Sequence, residues 1–475
     1  MDRFDIAIIG AGSGGLSVAA GAAQLGLKVV FFVKNEMGGD CLNNGCVPSK
    51  AHLKASKVAH GFRGSDKFGI QSVDPEVDFA AVKDHVRSVI AAIEPHDSVE
   101  RFEGLGVHVV KEHARFMNSH TVEAGGRTYD FRYCVIATGS RASIPPINGL
   151  DADKALTNEN IFELREKPEH LIIIGGGPIG VEMAQAHSRL GCKVSVLDMG
   201  PILAKDDPDL VEIVRGRLIE EGVDLYEHVE IENIEHKEAV AVNFVQGRVE
   251  PKKIVGTHIL VAAGRAANID GLDLEKAGVD FDARGVLVDA RLRTSQKHIF
   301  AAGDVIAGAP QFTHVAGYHA GILIRNIAFK MPAKIDLKAL PWVTYIDPEL
   351  ANVGMTEAMA RDELGKDNIK TVVWHFDEND RAQAEKRTEG FIKVVLNKKG
   401  KILGAGIVGP NAGELIGLWA LAITKGMKIG DITGMIAPYP TMGEISKRAA
   451  GAYFTPSLFS ARTRRIVGWL QKLPF

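Results

Sequence analysis

The chain has 475 residues, 46% of them hydrophobic and 24% charged, with a formal net charge of -3 and four cysteines. That length exceeds one hydrophobic core and predicts about three domains. A near-neutral chain without a long Lys/Arg run before its last segment is not expected to bind nucleic acid, and four scattered cysteines make neither a disulfide scaffold nor a metal site.

The 51 glycines follow no fixed period, which excludes collagen. No apolar run reaches the roughly 20 residues that cross a bilayer. The opening segment lacks the basic-apolar-small order of a signal peptide. The expected location is therefore the cytoplasm.

Residues 5–9 read as an apolar strand. Gly10, Gly12 and Gly15 follow in a tight turn, then an Ala-rich helix over 16–25 closed by Gly26, then a strand over 28–33. Strand, glycine turn, helix and strand make a dinucleotide-binding unit, whose glycines admit a pyrophosphate to the positive helix end. The second strand ends in Val33, where a ribose-binding acid usually stands. Either Glu36 or water and backbone groups replace it.

Residues 38–50 carry the most specific pattern. Cys41 and Cys46 stand five apart, Gly45 lets the chain bend, and Pro48 stiffens the first turn of a helix through Ala51 and Lys54. A helix start lowers the pKa of a nearby thiol, and the spacing closes one helical turn, so the pair can bridge and exchange electrons. Two packed cysteines are the plainer alternative; the glycines and polar residues around them argue against it. Lys50 lies one turn beyond Cys46, and Glu182 is the candidate anion for a buried cation there.

Residues 135–140 and 299–304 read as strand ends that face a cofactor, with Asp304 suited to a sugar or ribitol hydroxyl. Cys134 and Cys192 sit in or beside apolar strands and read as packing residues. Residues 171–180 repeat the nucleotide unit with Gly175, Gly177 and Gly180, a helix to Leu190, Gly191 as its cap and a strand over 193–197. Asp198 ends that strand. Its carboxylate suits a ribose 2'-hydroxyl and repels a 2'-phosphate, which predicts NADH over NADPH. Residues 262–265 resemble another strand exit.

The predicted class is α/β, with two Rossmann-like domains, the second inserted in the first. From about residue 341, strands over 342–346, 371–374, 390–396 and 404–409 and helices over 414–424 and 443–450 predict a mixed α+β domain. The last segment, 451–475, has Ser460 as a helix cap, four cations (Arg462, Arg464, Arg465, Lys472) and no acid after Glu444. With Ile466, Val467, Trp469, Leu470 and Leu473 it reads as a basic amphipathic helix. Packing on a dimer surface is its favoured reading, and peripheral membrane contact the second.

At residues 10–15, 41–50, 137–140, 175–180, 302–304 and 439–444 the chain resembles the class I pyridine nucleotide-disulfide oxidoreductases, over about residues 1–450. This is the family of dihydrolipoamide dehydrogenase, glutathione reductase and mercuric reductase. The pattern is nearest the dihydrolipoamide dehydrogenase-like members. The resemblance implies an FAD domain in two parts (1–150 and 271–340), an NAD domain (151–270), a dimerisation domain (341–450) and a head-to-tail homodimer. It implies that Cys41 exchanges with substrate and that Cys46 is the thiolate against the flavin. Lys50 would lie by the flavin and Glu182 by the nicotinamide. Gly10, Gly12, Gly15, Lys50, Ala114, Thr138, Gly139, Asp304, Phe312, Thr313 and His314 would contact FAD. Gly175, Gly177, Gly180, Asp198, Val229 and Gly264 would line the NAD(H) site.

The pattern breaks at residue 439. Disulfide reductases of the family place a histidine there as acid/base, oriented by a glutamate; here they are Tyr439 and Glu444. A phenol of reference pKa near 10 is a poor base at neutral pH. Mercuric reductases also carry a tyrosine, yet they add a C-terminal cysteine pair that this sequence lacks. The expectation is an NADH-linked flavoenzyme with a small-molecule or protein-linked disulfide, or another acceptor. Dihydrolipoyl dehydrogenase, mercuric-ion or quinone reductase, and a non-enzymatic FAD-binding module are the alternatives.

Overall fold

The structure, a computed structural model, describes residues 3–247 and 251–474. It divides into two compact units, one of residues 1–55, 76–175 and 230–335, the other of residues 56–75, 176–229 and 336–475.

The first unit is built on a seven-stranded sheet in the order His108–Val110, Val29–Phe32, Arg3–Ile9, Arg127–Ile136, Thr121–Ala124, Arg115–Asn118, with Ile299–Ala301 also paired to Arg127–Ile136. The long strand Arg127–Ile136 changes partners along its length. Its first half is antiparallel to Thr121–Ala124, with Asp130 opposite Thr121. Its second half is parallel to Ile299–Ala301, with Cys134 opposite Ile299. Val29–Phe32 is buried at every position, as expected for a parallel strand covered on both faces, and its β-branched and aromatic side chains suit that setting. Helices Ser13–Gln24 and Thr313–Ile327 pack together over it. Both begin at the exits of parallel strands, where open α/β sheets place their ligands.

The second unit holds a five-stranded antiparallel sheet: Pro341–Thr344, Glu349–Gly354, Ile402–Gly409, Phe391–Asn397, Ile369–His375. Helices Ala412–Thr424 and Glu444–Ala452 cover it. Trp419 is fully buried between them and donates its Nε1–H to Ser446 Oγ at 3.1 Å. The strand expected over 342–346 ends at Thr344 because the Tyr345 N–H leaves the ladder and donates to Glu182 Oε1 at 2.9 Å. Lys193–Leu197 pairs in parallel with Val223–Tyr226. Lys393 is buried, and its Nζ donates to both oxygens of Asp207 at 2.8 and 2.9 Å, a pairing that a buried cation requires. Among the described residues no helix is long and apolar enough to cross a membrane.

Candidate active site

The two cysteines of the 38–50 segment lie on different helices. Cys41 sits in the short helix Gly39–Asn43, which the sequence does not announce, and Cys46 opens the helix Cys46–Arg63. Asn43 ties the first helix to the preceding loop by donating to the carbonyls of Met37 and Gly39 at 2.9 and 3.0 Å. Gly45 is required for space: a Cβ there would lie 2.9 Å from the Asp40 carbonyl oxygen. Neither cysteine is in a disulfide here, Cys41 being half-buried and Cys46 exposed, and the two side chains act on each other.

That contact makes the pair unequal. Cys46 is pushed down to about 6, chiefly because Cys41 donates to it; burial opposes, and the Thr313 hydroxyl and the Lys50 cation assist. The Asp40 carboxylate works against them. Cys41 is pushed up by the same bond, by burial and by the neighbouring thiolate. The distance from Cys46 Sγ to Thr313 Oγ1 is 3.2 Å, which brings the start of helix Thr313–Ile327 to the pair. The site thus favours the thiolate on Cys46, at a helix N-terminus, and the proton on Cys41.

A polar network surrounds the pair. Arg265 donates to Asp40 Oδ2 at 3.1 Å, to Ser140 Oγ at 2.8 Å and to the Ser140 carbonyl at 3.0 Å. Ser140 Oγ donates to Asp304 Oδ2 at 2.8 Å, and Asn158 Nδ2 to Asp40 Oδ1 at 2.8 Å. Burial raises the Asp304 carboxyl, against the Ser140 bond and the Arg265 charge. Asp40, Ser140, Asn158 and Arg265 were not among the residues singled out in the sequence. Ser140 and Arg265 do close the two strand exits at 135–140 and 262–265, and Asp40 lies inside the cysteine segment; Asn158 joins that segment through Asp40 and through the Asn44 backbone carbonyl, which it reaches at 3.3 Å. Thr138 and Asn268 lock the adjacent loop reciprocally, Thr138 Oγ1 donating to the Asn268 carbonyl at 2.7 Å and Asn268 Nδ2 to the Thr138 carbonyl at 3.0 Å. Gly139 follows with φ +69°.

The two glycine turns share one geometry. Gly10 has φ +106°, and a Cβ on it would lie 2.4 Å from the Ala137 carbonyl; Gly175 has φ +108°, and its Cβ would lie 2.5 Å from the Ala262 carbonyl. Gly12 and Gly177 stand as uncapped residues before helices Ser13–Gln24 and Pro178–Arg189, with no protein atom within 4 Å of a built Cβ. Each turn thus leaves open backbone at a helix N-terminus that no side chain fills, a cradle that fits a pyrophosphate. Gly15 packs against the Gly10 carbonyl, and Gly180 is buried in its helix.

The other predicted residues fall as follows. Asp198 is pinned across its turn, accepting from Gly176 N at 2.6 Å and Gly200 N at 2.7 Å, and its own carbonyl accepts from Val229 N at 3.0 Å. Each carboxylate oxygen keeps a lone pair for a ribose hydroxyl. Gly264 has φ +137° and its carbonyl accepts from Ser143 N. Ala114 is buried. Phe312 and His314 stack at 5.2 Å on either side of Thr313 in sequence. Val33 is buried in the sheet core and Glu36 is exposed. Glu182 is buried. The Tyr439 hydroxyl donates to Asp380 Oδ2 at 2.8 Å, and that carboxylate raises the phenol above its usual range. Glu444 accepts from Arg448 at 3.0 Å. Cys134 and Cys192 are buried, and burial alone pushes the Cys134 thiol up.

A family profile described as pyridine nucleotide-disulphide oxidoreductase matches residues 4–320, and the dimerisation domain of the same family matches residues 340–450. A dihydrolipoyl dehydrogenase of Geobacillus stearothermophilus is 38% identical over 93% of this chain and 94% of its own length. A mercuric reductase of Lysinibacillus sphaericus is 35% identical over 94% of this chain and 82% of its own. Among solved structures, the Cu(II) complex of the HOCl-induced flavoprotein disulfide reductase RclA from Escherichia coli superposes with a TM-score of 0.85 at 26% identity, covering 95% of this chain and 99% of that one. Relatives with different substrates are similarly distant, so none singles out a member.

Proposed function

The chain belongs to the pyridine nucleotide-disulphide oxidoreductases, FAD-dependent enzymes with FAD- and NAD(H)-binding Rossmann-like domains and a C-terminal domain that forms the homodimer, and from that premise we propose that it carries electrons from NADH to the Cys41–Cys46 pair and on to an acceptor. Membership in a family of enzymes sets aside the reading as a passive FAD-binding module. The observation that carries the proposal is the placement of the pair, Cys41 in helix Gly39–Asn43 and Cys46 at the start of helix Cys46–Arg63 with its Sγ 3.2 Å from Thr313 Oγ1, an arrangement that favours the charge on Cys46.

Bound FAD supplies two-electron transfer between a nicotinamide and a disulfide. The chain supplies the ends of that transfer. NADH and the oxidised pair yield NAD+, a thiolate and a thiol: two electrons break the S–S bond, the proton of the hydride ends on Cys41, and Cys46 keeps the charge. Lys50 and Thr313 favour that charge. We assign Gly10, Gly12, Gly15, Ala114, Thr138, Gly139, Asp304 and residues 312–314 to FAD, with Lys50 beside its reactive ring. Gly175, Gly177, Gly180, Asp198, Val229 and Gly264 go to NADH, with Glu182 beside its nicotinamide.

Return of the electrons to a disulfide acceptor requires Cys41 to lose its proton and attack one acceptor sulfur, releasing the first thiolate. Cys46 then attacks Cys41 Sγ, releases the second thiolate and closes the pair. Tyr439, with its proton held toward Asp380, is a weak taker of the Cys41 proton. This favours an acceptor whose reduction needs no thiol acid/base step, a quinone or a metal ion, over dihydrolipoamide chemistry. The test is NADH-dependent turnover with lipoamide, oxidised glutathione, a soluble quinone and Hg(II), on wild type and on Cys41→Ser and Cys46→Ser. The expected order puts quinone or Hg(II) first, with turnover falling in both variants. Fast lipoamide turnover would sink the acceptor reading, and undiminished turnover in both variants the role of the pair.

A further inference from the structure

The segment after the dimerisation domain carries a surface that the redox chemistry does not use. Helix Ala461–Leu470 has no buried residue. Ser460 caps it, its Oγ accepting from Thr463 N at 3.2 Å, and Arg464 fixes its first turn by donating to the Phe459 carbonyl at 3.0 Å. The helix is thus formed, but none of its residues is buried. Ten residues are too few for a helix to persist in water on propensity alone, so a covering surface is expected.

The chemistry of that surface can be read from the two faces. At about 100° per residue, Ile466, Trp469 and Leu470 share one arc of about 100°, with exposures of 47, 63 and 48%, and Leu473, just past the helix, is 49% exposed. Leu458 and Phe459 extend the apolar area at 56 and 63%. On the same period Arg464 falls opposite that arc and Arg465 flanks its Trp469 edge, while Arg462 falls within the arc, where its aliphatic stem can cover apolar surface while its head reaches out; Lys472 follows just past the helix. No Asp or Glu occurs after Glu444, and among the described residues none of the four cations is paired with a carboxylate.

We propose that this helix lies in the headgroup layer of an anionic phospholipid surface, with Trp469, Ile466, Leu470 and Leu473 turned to the acyl boundary and the four cations to lipid phosphates. An exposed apolar arc with a tryptophan at its edge, and cations whose long stems reach out from within, beside and opposite it, suit in-plane binding. A second copy of the chain carries a net charge of only -3 over its whole length, far less negative charge than an anionic lipid surface sets against the four cations. The inference holds whichever acceptor the enzyme uses.

The experiment is flotation of the FAD-loaded full chain with vesicles of phosphatidylcholine alone or with about a third phosphatidylglycerol. Anionic vesicles at low salt should carry the protein up; neutral ones should not, and about 0.5 M salt should release it, because screening shortens the reach of surface charge to a few ångströms. Arg464→Glu/Arg465→Glu, a change of four charge units, should lower partitioning on the order of a thousandfold while NADH reduction of the flavin stays unchanged. Three results overturn the proposal: wild type that stays in solution with anionic vesicles, a charge-reversed variant that floats as well as wild type, or a Trp469→Ala/Leu470→Ala variant that sediments as a monomer where wild type is a dimer, which would assign the helix to the second copy.

Discussion

Asp40 offers the most specific perturbation of the site. Its carboxylate acts on Cys46 and opposes the thiolate. It is held by Arg265 at 3.1 Å and Asn158 at 2.8 Å, so Asp40→Asn keeps the shape and an acceptor while removing the charge. A like charge within 4–6 Å raises the pKa of an acid by about 1–3 units. Here the Asp40 side chain is 36% exposed and shares its charge with Arg265, so an effect at or below that lower limit, about half a unit to one unit, is expected. The freed Arg265 cation pushes the same way. The readout is the long-wavelength absorption of a thiolate against oxidised flavin in the two-electron-reduced enzyme, titrated with acid. Wild type should lose the band with a midpoint near 6, and Asp40→Asn at lower pH. A midpoint that is unchanged or moves up would refute the electrostatic account of the pair. Stability should fall by about 1 kcal/mol, the net worth of one partly exposed charged hydrogen bond, as measured by urea unfolding.

Three more outcomes follow from other parts of the structure. His319 is buried, its Nδ1 accepts from Gly303 N at 3.2 Å, and burial lowers its pKa from 6.5 to about 4. The unfolded chain therefore takes up a proton below pH 6.5 that the folded one refuses until about 4, so stability is lost as pH falls through that window; urea unfolding at pH 7 and 4.5 should show His319→Asn sparing about 2–3 kcal/mol of that loss. The Asp198 carboxylate predicts a kcat/KM for NADH well above that for NADPH, on the order of tenfold or more, and equal values in a side-by-side assay would remove its role. Tyr439→His should raise lipoamide turnover if proton transfer at Cys41 limits it, and Tyr439→Phe should leave quinone turnover within about twofold.

Much of this was legible in the sequence because it depends on local pattern. The turns at Gly10 and Gly175 sit between a strand and a helix whose periods are unmistakable, and the helices close at Gly26 and Gly191 as expected. The cysteine segment was legible from spacing. The short helix Gly39–Asn43 was not, since five residues show no period, and neither was the strand Glu349–Gly354, whose buried run of four residues carries no alternation. The Arg265 network was hidden for another reason. Its members come from positions 40, 140, 158, 265 and 304, and only the fold brings them together. The assignment of Gly45 to a bend was right about the residue and incomplete about the cause, which is the approach of the Asp40 carbonyl. At Asp198 the sequence shows only a ribose-binding carboxylate, whereas in the fold it also holds two backbone N–H groups.

The central claim is that Cys41 and Cys46 take up the electrons of NADH as a pair. Its most direct test is anaerobic titration of the oxidised enzyme with NADH, following flavin absorbance and counting thiols with a denaturing thiol reagent at each point. The account predicts that the first equivalent per subunit exposes two new thiols while the main flavin band is largely kept and the long-wavelength band appears, and that Cys46→Ser shows neither change. Bleaching of the flavin by the first equivalent with a constant thiol count would contradict it.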